Sequence, residues 1–106
     1  MSDDDDQAAL ALIAAGDPTL VIEAIIHASL GPVAPSWLEP TAVALTLAAD
    51  QEVRRAGLLA LGHLAIRFHR LENPDAARLA VARLATEPDL AGTAEDVGMD
   101  LDIGLR

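Results

Sequence analysis

The chain has 106 residues, no cysteine, no lysine, seven arginines and 17 carboxylates, for a formal net charge of −10. The missing cysteines exclude a disulfide framework, a cysteine-based zinc cluster and a thiol nucleophile, and the negative charge repels phosphates while attracting basic partners. Hydrophobic residues make up 52% of the chain but aromatics only 2%, so any core must be assembled from Ala, Leu, Val and Ile.

Asp3 to Asp6 form an acidic run where a secretory leader needs a positive region, and no apolar run reaches the ~18 residues of a membrane span. The sequence is therefore expected to be a cytoplasmic protein without a membrane partner. It is expected to be one domain over residues 1–106, with residues 1–5 as a disordered acidic tail. A first helix is predicted from about Asp6 to Ala15, with Gly16 as its stop.

Asp17-Pro18 joins a capping carboxylate to a first-turn proline and predicts a second helix running to about Leu30, before Gly31-Pro32. This helix is apolar almost all round, with Glu23 and His27 as a narrow wet strip at i, i+4 spacing. Ser36 and Glu39 have the spacing of a capping box, but Pro40 fits that start poorly, so a helix beginning at Glu39-Pro40 is also open. Either version runs to about Ala48.

Asp50 then caps a fourth helix predicted to extend to Arg70. Val53, Gly57, Ala60, Leu61, Leu64 and Phe68 share one face, while Leu58, Leu59 and Ile66 fall elsewhere. An apolar surface wider than one stripe suits a central helix flanked on both sides. Asn73-Pro74 starts a fifth helix whose Ala77, Ala80, Val81 and Leu84 are spaced for one buried face. Glu87-Pro88 opens a sixth, with Leu90, Ala94, Val97 and Leu101 as its stripe.

The turn signals at Asp17, Asp50 and Glu87 lie 33 and 37 residues apart. Below them a pattern recurs: Leu20, Ala24, Ala28, then Val53, Gly57, Leu61, then Leu90, Ala94, Gly98. Self-similarity at this period predicts an all-α fold, an α-solenoid of three helix pairs, with small residues at the middle position admitting close helix axes.

The stretch Asp50 to Leu64 resembles the second helix of a HEAT repeat, through Asp50, Val53, Arg54, Ala56, Ala60, Leu61, Gly62 and Leu64, and departs from it at Gly57. Leu61-Gly62-His63-Leu64-Ala65, followed by Arg67 and His69, and then Glu87 to Gly92 leading to Ala94-Glu95-Asp96, resemble a group of small bacterial HEAT-repeat proteins. The similarity covers about residues 37–103. Members of that group are suspected immunity proteins for secreted toxins, so the resemblance implies a HEAT-like solenoid that binds and inhibits a bacterial toxin.

The residues themselves point to protein binding. On the sixth helix Glu95, Asp96, Asp100 and Asp102 flank Met99 and Ile103, opposite the core stripe. Asp100 and Asp102 oppose the helix macrodipole and so are not explained by helix stability. This set is the expected contact for a basic protein surface, with Met99 and Ile103 as apolar anchors. Arg55, His63, Arg67 and Arg70 are expected to line a groove on the fourth helix.

Six arginines stand against two carboxylates between Arg54 and Arg83, which invites a nucleic-acid reading. The total charge and the lack of aromatic stacking residues argue against it, and internal pairing with the acidic ends fits better. A scaffold or oligomerisation module using exposed Leu58, Leu59 and Ile66 is the alternative. The sequence has no phosphate loop or nucleophile elbow, and no serine is expected near a base. No pair of histidines has helical metal-ligand spacing, so neither enzyme, cofactor nor metal is expected.

Overall fold

The computed structural model describes residues 3–106, which form six helices and, among the described residues, no strand. These are α1 (Asp3–Ala15), α2 (Pro18–Ser29), α3 (Leu38–Leu45), α4 (Gln51–Phe68), α5 (Pro74–Leu84) and α6 (Ala91–Gly104). The acidic tail expected over residues 1–5 overlaps α1 from Asp3 onward, and its first two residues lie outside the described ones.

Three helix starts are made as their sequences dictate. The carboxylate or amide oxygens of Asp17, Asp50 and Asn73 accept from the N–H groups of Leu20, Val53 and Ala76 at 3.2, 3.0 and 3.1 Å. Each satisfies an otherwise unpaired donor of the first turn. Gly16 ends α1 with φ +79°. His69 caps α4 in the left-handed region at φ 58°, so the helix stops at Phe68, two residues before the expected end at Arg70.

Two starts differ from expectation. The Ser36 capping box does not form, because Glu39 reaches across to accept from the backbone N–H groups of Glu72 and Asn73, both at 2.7 Å. Trp37 occupies the cap position of α3 without a side-chain bond. Glu87-Pro88 lies in a turn ahead of α6, since the Glu87 carboxylate is held by Arg54 at 2.7 Å. The helix begins three residues later, after the fully buried Leu90.

α4 packs against α2, α3, α5 and α6, whereas α1 touches α2 alone. α2, α4 and α6 lie side by side, with α3 against α4 and α5 against α6. The shortest dimension of the molecule, 17 Å, accommodates two layers of helices at the usual axis separation of about 8–10 Å. The core is aliphatic as the composition requires: Ile25, Leu38, Leu58, Leu61, Leu84, Leu90 and Leu101 are fully buried.

Leu58 was expected on an exposed scaffold surface but is covered completely, because α4 is flanked on both sides. Leu59 is half-buried and Ile66 exposed. In α2 the expected core residue Leu20 is exposed, whereas Ala24 and Ala28 are buried as the pattern has them, together with Val21 and Ile25. The buried positions seven, eight and eleven residues after Asp17 match those after Asp50, so the mismatch at Leu20 is confined to the first turn.

Small residues set the helix separations. A Cβ on Gly57 would lie 2.7 Å from the Ala42 carbonyl oxygen of α3, and one on Gly104 would overlap the Ala65 carbonyl of α4. Side chains bind the elements at a regular distance along the chain. Apart from Arg78–Asp102, the side-chain hydrogen bonds between residues more than ten apart join positions separated by 33 to 38.

Gly57→Ala is expected to destabilise the fold by about 1–3 kcal/mol despite the better helix propensity of alanine. Gly92→Ala, where an added Cβ meets nothing within 4 Å, is expected to be neutral or stabilising. Urea unfolding of the two variants measures the contrast, and equal midpoints would contradict the close approach of α3 and α4.

Candidate protein-binding surfaces

α6 places its expected contact residues on two different surfaces. Val97, Leu101 and Gly104 are buried and Met99 and Ile103 stand opposite them, about half exposed at 54% and 50%. Glu95, Met99 and Asp102 lie on the α5 side, where with Arg78, Val81 and Gly98 they line a shallow groove. Asp96 and Asp100 lie on the opposite flank. Asp96 is exposed, but Asp100 is half-buried because the missing side chain of Gly62 lets its carboxylate settle against α4.

The last turn of α6 carries Asp102 and no basic residue, with Asp100 just before it. Such charges are unfavourable near the partial negative end of a helix dipole. Arg78 offsets one of them through a 2.9 Å contact to Asp102, an exposed pair contributing about 0–1 kcal/mol. Glu95 and Asp96 have no ion pair among the described residues.

The α4 residues expected to line a groove are already engaged within the molecule. Arg55 donates to Glu52, to Thr93 Oγ1 at 2.8 Å and to the Asp89 carbonyl at 3.1 Å, tying α4 to the start of α6. Arg67 donates to the Gly31 carbonyl at 2.7 Å and lies 5.7 Å from the Phe68 ring centre. Arg70, beyond the end of α4, pairs with Glu72 on the surface. Arg54, Arg78 and Arg83 also have internal partners, Arg83 through Thr46 Oγ1 at 2.9 Å. Arg54, Arg55, Arg67 and Arg83 thus tie separate elements together, whereas Arg70 and Arg78 form ion pairs at the surface.

His63 is half-buried, and its Nδ1 lies 2.8 Å from the Ser29 hydroxyl of α2. The same hydroxyl is 2.8 Å from the Ile26 carbonyl. One hydroxyl proton serves only one of these contacts, so when it is given to Ile26, Nδ1 must carry the hydrogen. Burial holds the imidazole below its ordinary 6.5, with the Asp100 carboxylate opposing that shift and Arg67 reinforcing it.

Ser29, His63 and Asp100 therefore bring together one polar residue from each of α2, α4 and α6. The sequence reading missed this, since it placed no serine near a base. The 34-residue separation of Ser29 and His63, one repeat length, is the signal that could have found it. Ser29 is fully buried, so its hydroxyl joins helices and presents no exposed nucleophile.

Among the described residues no group of three or more His, Asp or Glu could hold a metal ion, and no helix is long and apolar enough to cross a membrane. In comparisons with known proteins the chain matches no family model, no curated protein and no solved structure.

The lowered His63 pKa sets a pH dependence. The folded state binds this proton less readily than the unfolded chain, so the associated stability is present above about pH 6.5 and is lost as pH falls through the folded value. Urea midpoints measured from about pH 7.5 downward should decline accordingly. His63→Gln is expected to flatten the first part of that decline. Ser29→Ala, which leaves a half-buried ring nitrogen without its partner, should cost about 1–3 kcal/mol.

Proposed function

We propose that the chain is a protein-binding module, a solenoid of three HEAT-like helix pairs that acts as an immunity protein by blocking a bacterial toxin through its acidic α6 surface. The observation that carries this reading is α6 itself. It exposes two apolar anchors, Met99 and Ile103, among four carboxylates, and it carries no cation of its own. Apolar anchors within a single-sign charged rim suit a partner of opposite charge, whose approach the net charge accelerates.

The pairing α1/α2, α3/α4 and α5/α6 is supported by the side-by-side contacts of α2, α4 and α6 and by cross-links one repeat apart. Nucleic acid is disfavoured as a partner by the net charge of −10 and because Arg54, Arg55 and Arg83 are half-buried in bonds to neighbouring elements. No cofactor enters the proposal.

The test is rescue of growth. The product of the gene adjacent to this one is expressed in a heterologous bacterium with and without the chain. Growth arrest relieved by the chain, and restored arrest when Glu95 and Asp96 are both replaced by Arg, is the expected outcome. Undiminished rescue by the doubly reversed variant would refute a role for the acidic surface.

A second reading, self-association, is favoured by the exposed Leu10, Leu12, Leu20 and Leu30 on α1 and α2. Sedimentation at several concentrations decides between them: a monomer at all concentrations removes this alternative.

A further inference from the structure

We propose that the groove between α5 and α6 receives a cationic amphipathic helix from a partner protein, docked as though it were a seventh helix of the stack. This rests on the protein-binding reading above and specifies the form of the partner. The groove, of about 530 Å³, has a floor of small residues, Ala85, Ala91, Ala94 and Gly98, with Val81 and Met99 as apolar walls. It lies at the open edge of the helix layers, since α6 packs on α4 and α5 alone. A small-residue floor lets another helix approach as closely as α3 approaches α4 over Gly57.

Charge selects the occupant. Glu95 and Asp102 stand along the groove seven positions apart, two helical turns or roughly 10 Å. Arg78, the one cation lining it, is held by Asp102, while Glu95 has no ion pair among the described residues. Arginine or lysine residues spaced by two turns on the incoming helix would meet both carboxylates, with small apolar residues between them seated on the floor. A second copy of this chain is a poor occupant, because each copy carries a net charge of −10. The groove runs from Ala91 to Asp102, roughly 16 Å, which matches about three turns of helix.

The probe is a synthetic labelled helix of about 15 residues with an Ala/Leu stripe and arginines seven apart, titrated against the full chain by fluorescence anisotropy. One-to-one binding that weakens in about 0.3 M salt is expected. Gly98→Leu and Glu95→Gln should each weaken it at least about tenfold, with Glu23→Gln on the exposed face of α2 unchanged. Gly98→Leu fills the floor, and its Cβ meets no backbone atom of a neighbouring helix. A Cβ there makes only an ordinary 3.4 Å contact with Val81, and leucine favours the helix more than glycine does. Circular dichroism verifies that the variant folds.

Equal affinity of the parent and Gly98→Leu would overturn the groove. If affinity then fell with Asp96→Asn instead, the acidic-surface reading would stand without it. Equal binding of a probe with glutamates in place of the arginines would overturn the charge argument. A concentration-dependent dimer abolished by Gly98→Leu would assign the groove to a second copy. If Gly98→Leu lost the probe yet kept full growth rescue, the groove would be excluded as the toxin-binding site while the immunity reading survived.

Discussion

The structure depends on backbones coming unusually close to α4. Gly57 lets α3 settle with its Ala42 carbonyl where a side chain would otherwise be, and Gly104 does the same for α6 against Ala65. With almost no aromatic residues to fill wider gaps, aliphatic side chains reach native packing density only if the helix axes are near. The fourth helix can then be covered by four neighbours and still leave Leu58 and Leu61 without a void. An added methyl at either contact would push whole helices apart, which many small dispersion contacts could not offset.

Electrostatics complements this packing by separating the two signs of charge. The arginines from Arg54 to Arg83 are directed into turns, carbonyls and neighbouring carboxylates. Arg54 is the clearest case, donating to the Ala48 and Ala49 carbonyls at 2.9 and 2.8 Å while holding Glu87 of the next connection. Arg54 and Arg55 are half-buried by such bonds, whereas Arg70 and Arg78 pair with carboxylates at the surface. Glu95 and Asp96, exposed and without an ion pair among the described residues, leave α6 an acidic face toward an approaching molecule.

Much of this organisation was readable from local chemistry. The cap-proline pairs at Asp17 and Asn73 start helices where expected, and the exposure of Met99 and Ile103 follows from 3.6-residue periodicity. Local rules failed where a distant side chain competed for the same group. Glu39 and Glu87 had the spacing of capping residues, but tertiary partners took their carboxylates. Leu20 matched the repeat but is exposed in the first turn of α2, although Ala24 and Ala28 further along the same pattern are buried. The division of the α6 carboxylates between two flanks follows from the same helical periodicity, while the helix lying beside each flank does not.

α2 and α6 are linked chiefly through α4 and more weakly through α3 and α5, since α3 packs on both α2 and α5. α2 and α6 do not touch, and α1 is attached by a single interface. Opening of such an array is graded: α1 can detach while everything beyond α2 stays in place, whereas loosening α4 releases both ends together. The hydrogen bond between Ser29 and His63 joins α2 to α4 on this route. Strain imposed on α6 from outside would thus reach α4 and α5 first, leaving α1 free to fluctuate without disturbing the acidic surface.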